Sequence, residues 1–380
     1  MQNTGPGYLG KRHSRVSNLP DFNGEYPVVA MADEMLVEGK GQLKGFMCVA
    51  GNPVLSTPNG EKLDKALEKL EFMVAVDYYV TETSRHANII LPPVSSLERD
   101  HYDVTFNGFA THNVAKYSPI LFNKPKDAKH DWQIYLELAE RLDKKAPLAT
   151  KAERKLIEKL GPQFVLDQGL RRGPYYGLTL RKLKKYPHGM DLGPLKPMLP
   201  QAIKHKDQQI NLNVDFYQAD LARVGEVMSS YDDSQILLIG RRHVRSNNSW
   251  LHNSHRLIKG KPRCTLMLHP DTAKAHAIED GQQVKVTSRV GQVTIVAEVT
   301  DELMPGVVSI PHGFGHGRKG VKQKIAQANA GVSVNDLTDD TLIDKLSGNA
   351  AVNGVPVTLQ AVESAEDSTE INTVDETVMA

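Results

Sequence analysis

Asp77 closes a short apolar run, Phe72-Met-Val-Ala-Val76, and stands before a polar stretch that includes Thr81, Glu82 and Thr83. A carboxylate at that place can accept two parallel hydrogen bonds, the pattern offered by the Watson–Crick edge of guanine. Upstream, Gly51-Asn52-Pro53 follows a second apolar run, Gly45 to Ala50. A glycine there frees the backbone to approach a ligand, and Asn52 offers both a donor and an acceptor. Far downstream, one loop gathers Arg241, Arg242, His243, Arg245, Ser246, Asn247, Asn248, Ser249 and Trp250. A second, Pro311-His312-Gly313-Phe-Gly315, is rich in glycine, and Arg318 follows it. Cationic forks (Arg241, Arg242, Arg245, Arg318) and backbone N–H groups in glycine turns (Gly240, Gly313, Gly315, Gly317) suit a pyrophosphate. The amides of Asn247, Asn248 and Asn335 match a heterocycle that mixes donors with acceptors.

Elements must hold these groups in place. Met73-Val-Ala-Val76 is a compact apolar run of the kind buried on both faces of a parallel sheet, which puts Asp77 at the carboxyl edge where open α/β sheets bind ligands. Lys62 to Leu70 carries apolar residues at helical spacing, Thr81 is placed to cap a helix opening at Glu82, and Ile89-Ile-Leu91 reads as another strand. Strand, glycine turn, helix, strand makes a right-handed βαβ unit by default. The turn lacks the GxGxxG pattern, which disfavours a nicotinamide site. Residues 28–36, 132–142 and 151–160 read as helices. Between Ser234 and Gln360 the text changes: Ile236–Ile239 and Val307–Ile310 read as strands, 284–299 as a hairpin turning at Arg289–Gly291, and 269–277 as a short helix. Several short strands with glycine turns predict a small barrel.

Together the two regions resemble the molybdopterin oxidoreductase superfamily, in its formate dehydrogenase and nitrate reductase branch. The resemblance rests on residues 49–56, on Asp77 with Thr81–Thr83, and on Ala87-Asn-Ile-Ile-Leu-Pro-Pro93. In the barrel region it rests on residues 238–250, 311–315, 331–338 and 347–357. Asn88 stands where the family usually has Asp. The resemblance implies a doubly wound α/β domain followed by a double-psi-like barrel, binding a bis-molybdopterin guanine dinucleotide cofactor. By it, Asp77 would lie beside one guanine, the Arg241–Trp250 loop would wrap a pterin and its phosphate, and Asn335 would face a pterin ring. His243 and His312 are then expected to hydrogen-bond near the dithiolene end and to titrate near neutrality.

Taken singly, these features have plainer readings. Gly51-Asn52-Pro53 is a turn, Asp77 a cap before a helix, and the Arg241–Trp250 loop an exposed basic surface. The histidines of 311–316 have no carboxylate or thiol at ligand spacing, so no metal site is expected on this chain. No Ser/His/Asp set or carboxylate pair stands out for hydrolysis, and no catalytic residue is assigned.

The composition narrows the remaining classes. The 380 residues have 40% hydrophobic and 24% charged content and a net charge of +1, an ordinary globular profile with no global field for nucleic acid. No apolar run approaches a membrane span and no signal peptide is legible, which makes a cytoplasmic location the expectation. Cys48 and Cys264 are the only two cysteines, too few for an iron–sulfur cluster on this chain. Cys48, inside an apolar run, reads as a small buried hydrophobe. The expected organisation is an α/β domain over 1–145, loop-like as far as Gly24; a basic helical and loop connector over 146–225; a dinucleotide-binding barrel over 226–360; and a disordered acidic tail over 361–380. Prolines break up the basic connector stretch 178–206, where aromatic residues are sparse, so it reads as solvated surface.

Members of this branch begin with a four-cysteine segment and then a domain carrying the protein ligand to molybdenum, and neither is legible here. The expectation is therefore the dinucleotide-holding part of a molybdenum oxidoreductase, completed by a missing N-terminal half or a partner redox subunit that carries any iron–sulfur cluster. The alternative is a non-catalytic cofactor-binding module or degenerate paralogue. A cofactor crevice with half its walls should expose apolar surface.

Overall fold

The computed structural model describes residues 9–230, 232 and 234–362. Of the acidic tail expected over 361–380, residues 363–380 lie outside them, whereas Ala361 belongs to the last strand, Val355–Ala361. Residues expected as loop open with a hairpin of β1 (Leu9–His13) and β2 (Pro20–Phe22). A 3-10 turn at Val28–Ala30 and a helix at Met31–Leu36 follow, as the spacing predicts.

β3 (Gly45–Val49) pairs in parallel with β4 (Phe72–Val76), and β4 with β5 (Ile89–Ile90). Val49 lies beside Val76 in this register, so the Ala50–Pro53 turn and Asp77 leave the same carboxyl edge. The crossover helix Gly60–Glu68 starts at Asn59, whose side chain accepts from the Lys62 N–H at 3.2 Å. It buries Leu63, Ala66 and Leu67 against Met73, Cys48 and Met35. Each large side chain so buried contributes roughly 1.5–3 kcal/mol. Cys48 belongs to this core, and burial, with the charge of Asp77, pushes its thiol up to about 11.

The expectation of a strand covered on both faces holds for most of Met73–Val76, where Met73, Ala75 and Val76 are buried, but not for the strands and residues around it. The helices cover one face only, and on the other, among the described residues, Met47, Val49, Phe72 and Ile89 are exposed at 40–50%. The pleat explains this, because alternate residues point to opposite faces and Cys48 turns inward between two exposed neighbours. The helix expected to open at Glu82 is instead a single 3-10 turn at Ser84–His86, although Thr81 makes a capping bond there, its Oγ1 accepting from the Ser84 N–H at 3.1 Å.

Residues 95–230 build small ribbons and helices. β6 (His101–Tyr102) pairs with β8 (Tyr117–Ser118), and β7 (Val114–Ala115) with β9 (Met190–Asp191). Helices at Asp131–Leu142 and Leu148–Leu160 match the periodicity, whereas those at Pro162–Arg172 and Asp215–Ser229 went unanticipated. Ala115 and Tyr117 share a core with Leu170, Leu178, Leu180 and Leu183.

The barrel is closed. β10 (Ile236–Arg241), β11 (Leu266–Leu268), β12 (Gln283–Thr287), β13 (Gln292–Val299), β14 (Val307–Pro311) and β15 (Val355–Ala361) pair in the order β10-β14-β11-β13-β12-β15. Leu238, Leu266, Leu268, Val284, Val286, Val308 and Ile310 fill it, all fully buried. β10 and β14 run parallel with Arg241 beside Pro311, so the loops that follow them leave the barrel side by side. Contacts tie barrel to sheet: Asn335 Nδ2 donates to the Leu55 carbonyl at 2.7 Å, and Lys62 pairs with Asp340 at 2.6 Å.

Candidate functional site

Four segments meet where the barrel loops face the carboxyl edge of the sheet: the 50–54 turn, the 81–84 stretch, the loop after β10 and the loop after β14. Polar contacts hold them together. Asn52 Nδ2 donates to Glu82 Oε2 at 2.7 Å, and Asn52 Oδ1 accepts from the Thr83 N–H and hydroxyl at 3.2 and 2.8 Å. The other oxygen of Glu82 lies 2.8 Å from His316 Nδ1, and His316 Nε2 lies 2.9 Å from His252 Nδ1. Glu82 and His316 are inaccessible to solvent and His252 nearly so. Burial pulls the Glu82 carboxyl upward, but the His316 and Asn52 contacts outweigh it and hold the group below the usual range. Burial, with His316 and Arg263 nearby, pushes His252 down to about 4.

The two barrel loops touch through their backbones. Asn247 and Asn248 take left-handed φ values of 41° and 60°, and Gly313 and Gly315 take 95° and 114°. A Cβ at Gly313 would lie 2.2 Å from the Asn248 carbonyl oxygen, so only glycine fits this crossing. Ser246 and Ser249 are buried in the first loop, while His243, Arg245, Asn247, Asn248 and Trp250 are exposed. Arg245, Arg263 and His243 crowd one another. Burial and then the neighbouring arginine charges hold His243 below its ordinary value, and burial and Arg245 do the same for Arg263. Among the described residues none of Arg242, Arg245 and Arg263 forms an ion pair. Clustered cations without acidic partners are stabilised by an incoming anion.

Several expected ligand residues are otherwise engaged. The Arg241 guanidinium is half-buried beneath the loop, donating to the carbonyls of Ser309, Arg263 and Thr265 and to the Thr265 hydroxyl. Arg318 bridges Asp64 at 3.1 Å and Asp336 at 2.8 Å. Asp64 also takes two bonds from Arg85 and one from His86, each at 2.6 Å. Asn335 is buried, and its oxygen accepts from the Thr338 hydroxyl. Gly51 does not take a left-handed conformation; Ala50, at φ 48°, does. Pro53 starts the short helix Pro53–Ser56. His312 does not titrate near neutrality, because burial and Arg242 push it to about 4, and His243 is shifted the same way. Asp77 stays at the sheet edge, its Oδ1 accepting the Tyr78 N–H at 2.6 Å, and burial raises its carboxyl.

The residues present fit a dinucleotide. A cradle that admits no Cβ, unpaired cations beside it, and a carboxylate at the sheet edge supply the chemistry that a diphosphate and a guanine edge require. Glu82, His252 and Arg263 were not picked out from sequence. Glu82 read as an opening helical residue. Its one signal is that it lies in the polar run Thr81–His86, a few residues beyond the end of a strand. No three His, Cys, Asp or Glu side chains among the described residues converge as a metal site requires.

Residues 14–141 match the "Molybdopterin oxidoreductase" family and residues 236–356 the "Molydopterin dinucleotide binding domain". The chain is 29% identical over 292 residues to the F420-dependent formate dehydrogenase subunit alpha of Methanocaldococcus jannaschii, covering 74% of this chain and 40% of that protein. It is 26% identical over 296 residues to the assimilatory nitrate reductase catalytic subunit of Bacillus subtilis, covering 71% and 38%. The chain thus spans about two fifths of the length of these relatives. The fold is similar to that of acetylene hydratase from Pelobacter acetylenicus, with a TM-score of 0.64 at 16% identity, over 88% of this chain and 46% of that one. Family matches that take in both the sheet and the barrel place this chain in the molybdopterin oxidoreductase family.

Proposed function

We propose that this chain is the guanine dinucleotide-holding portion of a molybdenum-dependent oxidoreductase with a bis-molybdopterin guanine dinucleotide cofactor. Bound, that group would supply two-electron redox chemistry at its metal. In this reading Asp77 accepts from one guanine, Arg242, Arg245 and Arg263 neutralise a diphosphate, and the Asn248–Gly313 crossing presents backbone to it. Gly51, Asn52, Pro53 and Thr81 shape the sheet side of the crevice, and His243, Ser246, Asn247, Ser249, Trp250, His312 and Asn335 shape the barrel side. The observation that carries the reading is the group of acid-free arginines beside the left-handed crossing.

The reading includes finer points. The three-stranded sheet belongs to a larger doubly wound one, and the barrel, whose β10–β14 and β11–β13 pairs are parallel, is double-psi. Domain limits fall near 145, 226 and 360. The molybdenum ligand and any iron–sulfur cluster come from an N-terminal half or a partner redox subunit, which covers the exposed face of Met47, Val49, Phe72 and Ile89. The location is cytoplasmic; no helix among the described residues is long and apolar enough to cross a membrane.

Titration of the purified chain with guanosine diphosphate tests the proposal. Saturable binding that weakens with salt and falls at least tenfold in Arg245→Glu at low salt is expected. Absence of binding to the wild-type chain refutes it. A non-catalytic module would bind equally and is distinguished by redox activity once the partner is restored.

A further inference from the structure

Of the three arginines without acidic partners, Arg263 is the one whose side chain and backbone are both held. Arg242 and Arg245 are exposed, whereas Arg263 is half-buried. Its Nη2 donates to the Leu257 carbonyl at 2.6 Å, and its Nη1 lies 3.3 Å from His243 Nδ1. The same histidine nitrogen meets the Arg245 N–H at 3.1 Å. A backbone N–H and a guanidinium can only donate, so His243 Nδ1 accepts from both. Two neutral acceptors thus fix the direction of the Arg263 guanidinium without cancelling its charge.

The Arg263 backbone is pinned as well. Arg241 Nη2 donates to the Arg263 carbonyl at 3.1 Å and to the carbonyl and hydroxyl of Thr265 at 2.9 and 2.7 Å, while its Nη1 reaches the Ser309 carbonyl on β14. Because the Thr265 hydroxyl accepts from Arg241, its own proton goes to Glu298 Oε2 on β13. Next to Arg263, Cys264 Sγ accepts the Val332 N–H at 3.3 Å, and a Cβ at Gly331 would lie 2.6 Å from that sulfur. Residues 263–265 are therefore locked to β14, to β13 and to the 331–332 turn. The charges divide accordingly. The negative charge of Glu298 acts on Arg241, whereas the charge acting on Arg263 is that of another cation, Arg245.

We propose that Arg263 is the preorganised anion contact of the cradle and that Arg241 is its positioning residue, a buried clamp that fixes the Arg263 backbone while His243 Nδ1 aims the side chain. The anion role rests on the proposed function; the clamp does not. An anion meeting Arg263 has no further side chain to order, whereas exposed Arg245 must be immobilised on contact. Arg241→Lys keeps the buried charge, but an ammonium is a point donor and cannot bridge Ser309 and the 263–265 carbonyls together. Arg263 then loses its fixed backbone with no change in net charge.

A double-mutant cycle on the full chain, read by guanosine diphosphate titration, tests the positioning role. Arg241→Lys and Arg263→Gln should each weaken binding about tenfold, and the double variant should fall within about twofold of Arg263→Gln alone. Losses that multiply, or wild-type binding by folded Arg241→Lys, refute it. His243→Ala, at an exposed position, gives the same cycle if Arg241→Lys does not fold: it should weaken binding in the wild-type background and not in Arg263→Gln. Arg245→Gln should cost less affinity than Arg263→Gln, and the reverse order refutes Arg263 as the preorganised contact. Arginine side-chain nitrogen NMR of the wild type reads the clamp without any ligand. Arg241 and Arg263 should show separate, slowly exchanging Nη signals, and Arg245 an averaged one. An averaged Arg263 signal overturns the clamp whether or not the variants fold. Separate Arg263 signals in a wild-type chain that binds no guanosine diphosphate support the clamp and remove the functional reading, and the anion role with it.

Discussion

Gly313→Ala offers the sharpest test of how the two barrel loops are built. Two costs add at this residue. Alanine at φ 95° takes on left-handed strain of roughly 1–2 kcal/mol. Its Cβ would also lie 2.2 Å from the Asn248 carbonyl oxygen and 2.6 Å from the Asn248 carbonyl carbon, far inside the ~3.5 Å at which carbon contacts become favourable. Both opposing atoms are backbone, so no rotamer change relieves the clash and the loops must separate, at roughly 1–3 kcal/mol. The expected loss is about 2–5 kcal/mol, read as a lowered urea midpoint by circular dichroism. Guanosine diphosphate binding should weaken as well, because the cradle widens. Gly317→Ala is the matched control: its Cβ would meet only the Ala330 Cβ at 3.8 Å, and a change within ~0.5 kcal/mol is expected. If Gly313→Ala melts and binds like the wild type, the loops do not cross as described.

Other consequences can be measured directly. Arg245→Glu should reduce diphosphate binding by at least tenfold at low salt and by less at high salt, since exposed charges are screened; calorimetry at two ionic strengths checks it. Asp339, paired with Arg289 and held down to about 2, contributes stability that is complete above the unfolded carboxylate value of ~3.9 and is lost as pH falls through 2. Arg289→Ala should therefore remove part of the acid-side slope between those pH values, and unchanged acid denaturation curves would contradict the pairing. Ile310→Ala, in the fully buried barrel core, should cost roughly 2–5 kcal/mol in a urea melt. Cys48, buried with its thiol near 11, should resist iodoacetamide at pH 8 until the chain is unfolded. Rapid native labelling, seen by mass spectrometry, would contradict its burial.

Much of the framework was legible because its signals are local. The run Met73–Val76, the helical spacing of Leu63, Ala66 and Leu67, and the 284–299 hairpin carry their own periodicity, and each formed. Asp215–Ser229 went unread because its apolar residues make only a weak stripe, whereas Pro162–Arg172 carries one like that of Asp131–Leu142 and was missed despite it. The sheet's exposed face misled for a different reason: Met47 and Val49 are apolar whether or not anything covers them. At the site, residue type located the loops but not the assignment of cations within them. Arg241 and Arg245 lie four apart in one loop. Which one turns under the barrel to bind carbonyls depends on the β10–β14 register, which only the fold supplies. The histidine shifts failed likewise, because burial of His312 is a tertiary property. Glu82 and His316 are 234 residues apart, so no local pattern could pair them.

The most direct measurement is release of the cofactor's own fragments. The chain would be purified together with its partner subunit from cells that make molybdenum cofactor, then treated with hot acid. Oxidised pterin fluorescence and guanosine monophosphate should appear together at about two of each per chain, and both should fall in Arg245→Glu. A folded complex that yields neither pterin nor guanosine monophosphate would contradict the assignment of these loops as a molybdopterin guanine dinucleotide site.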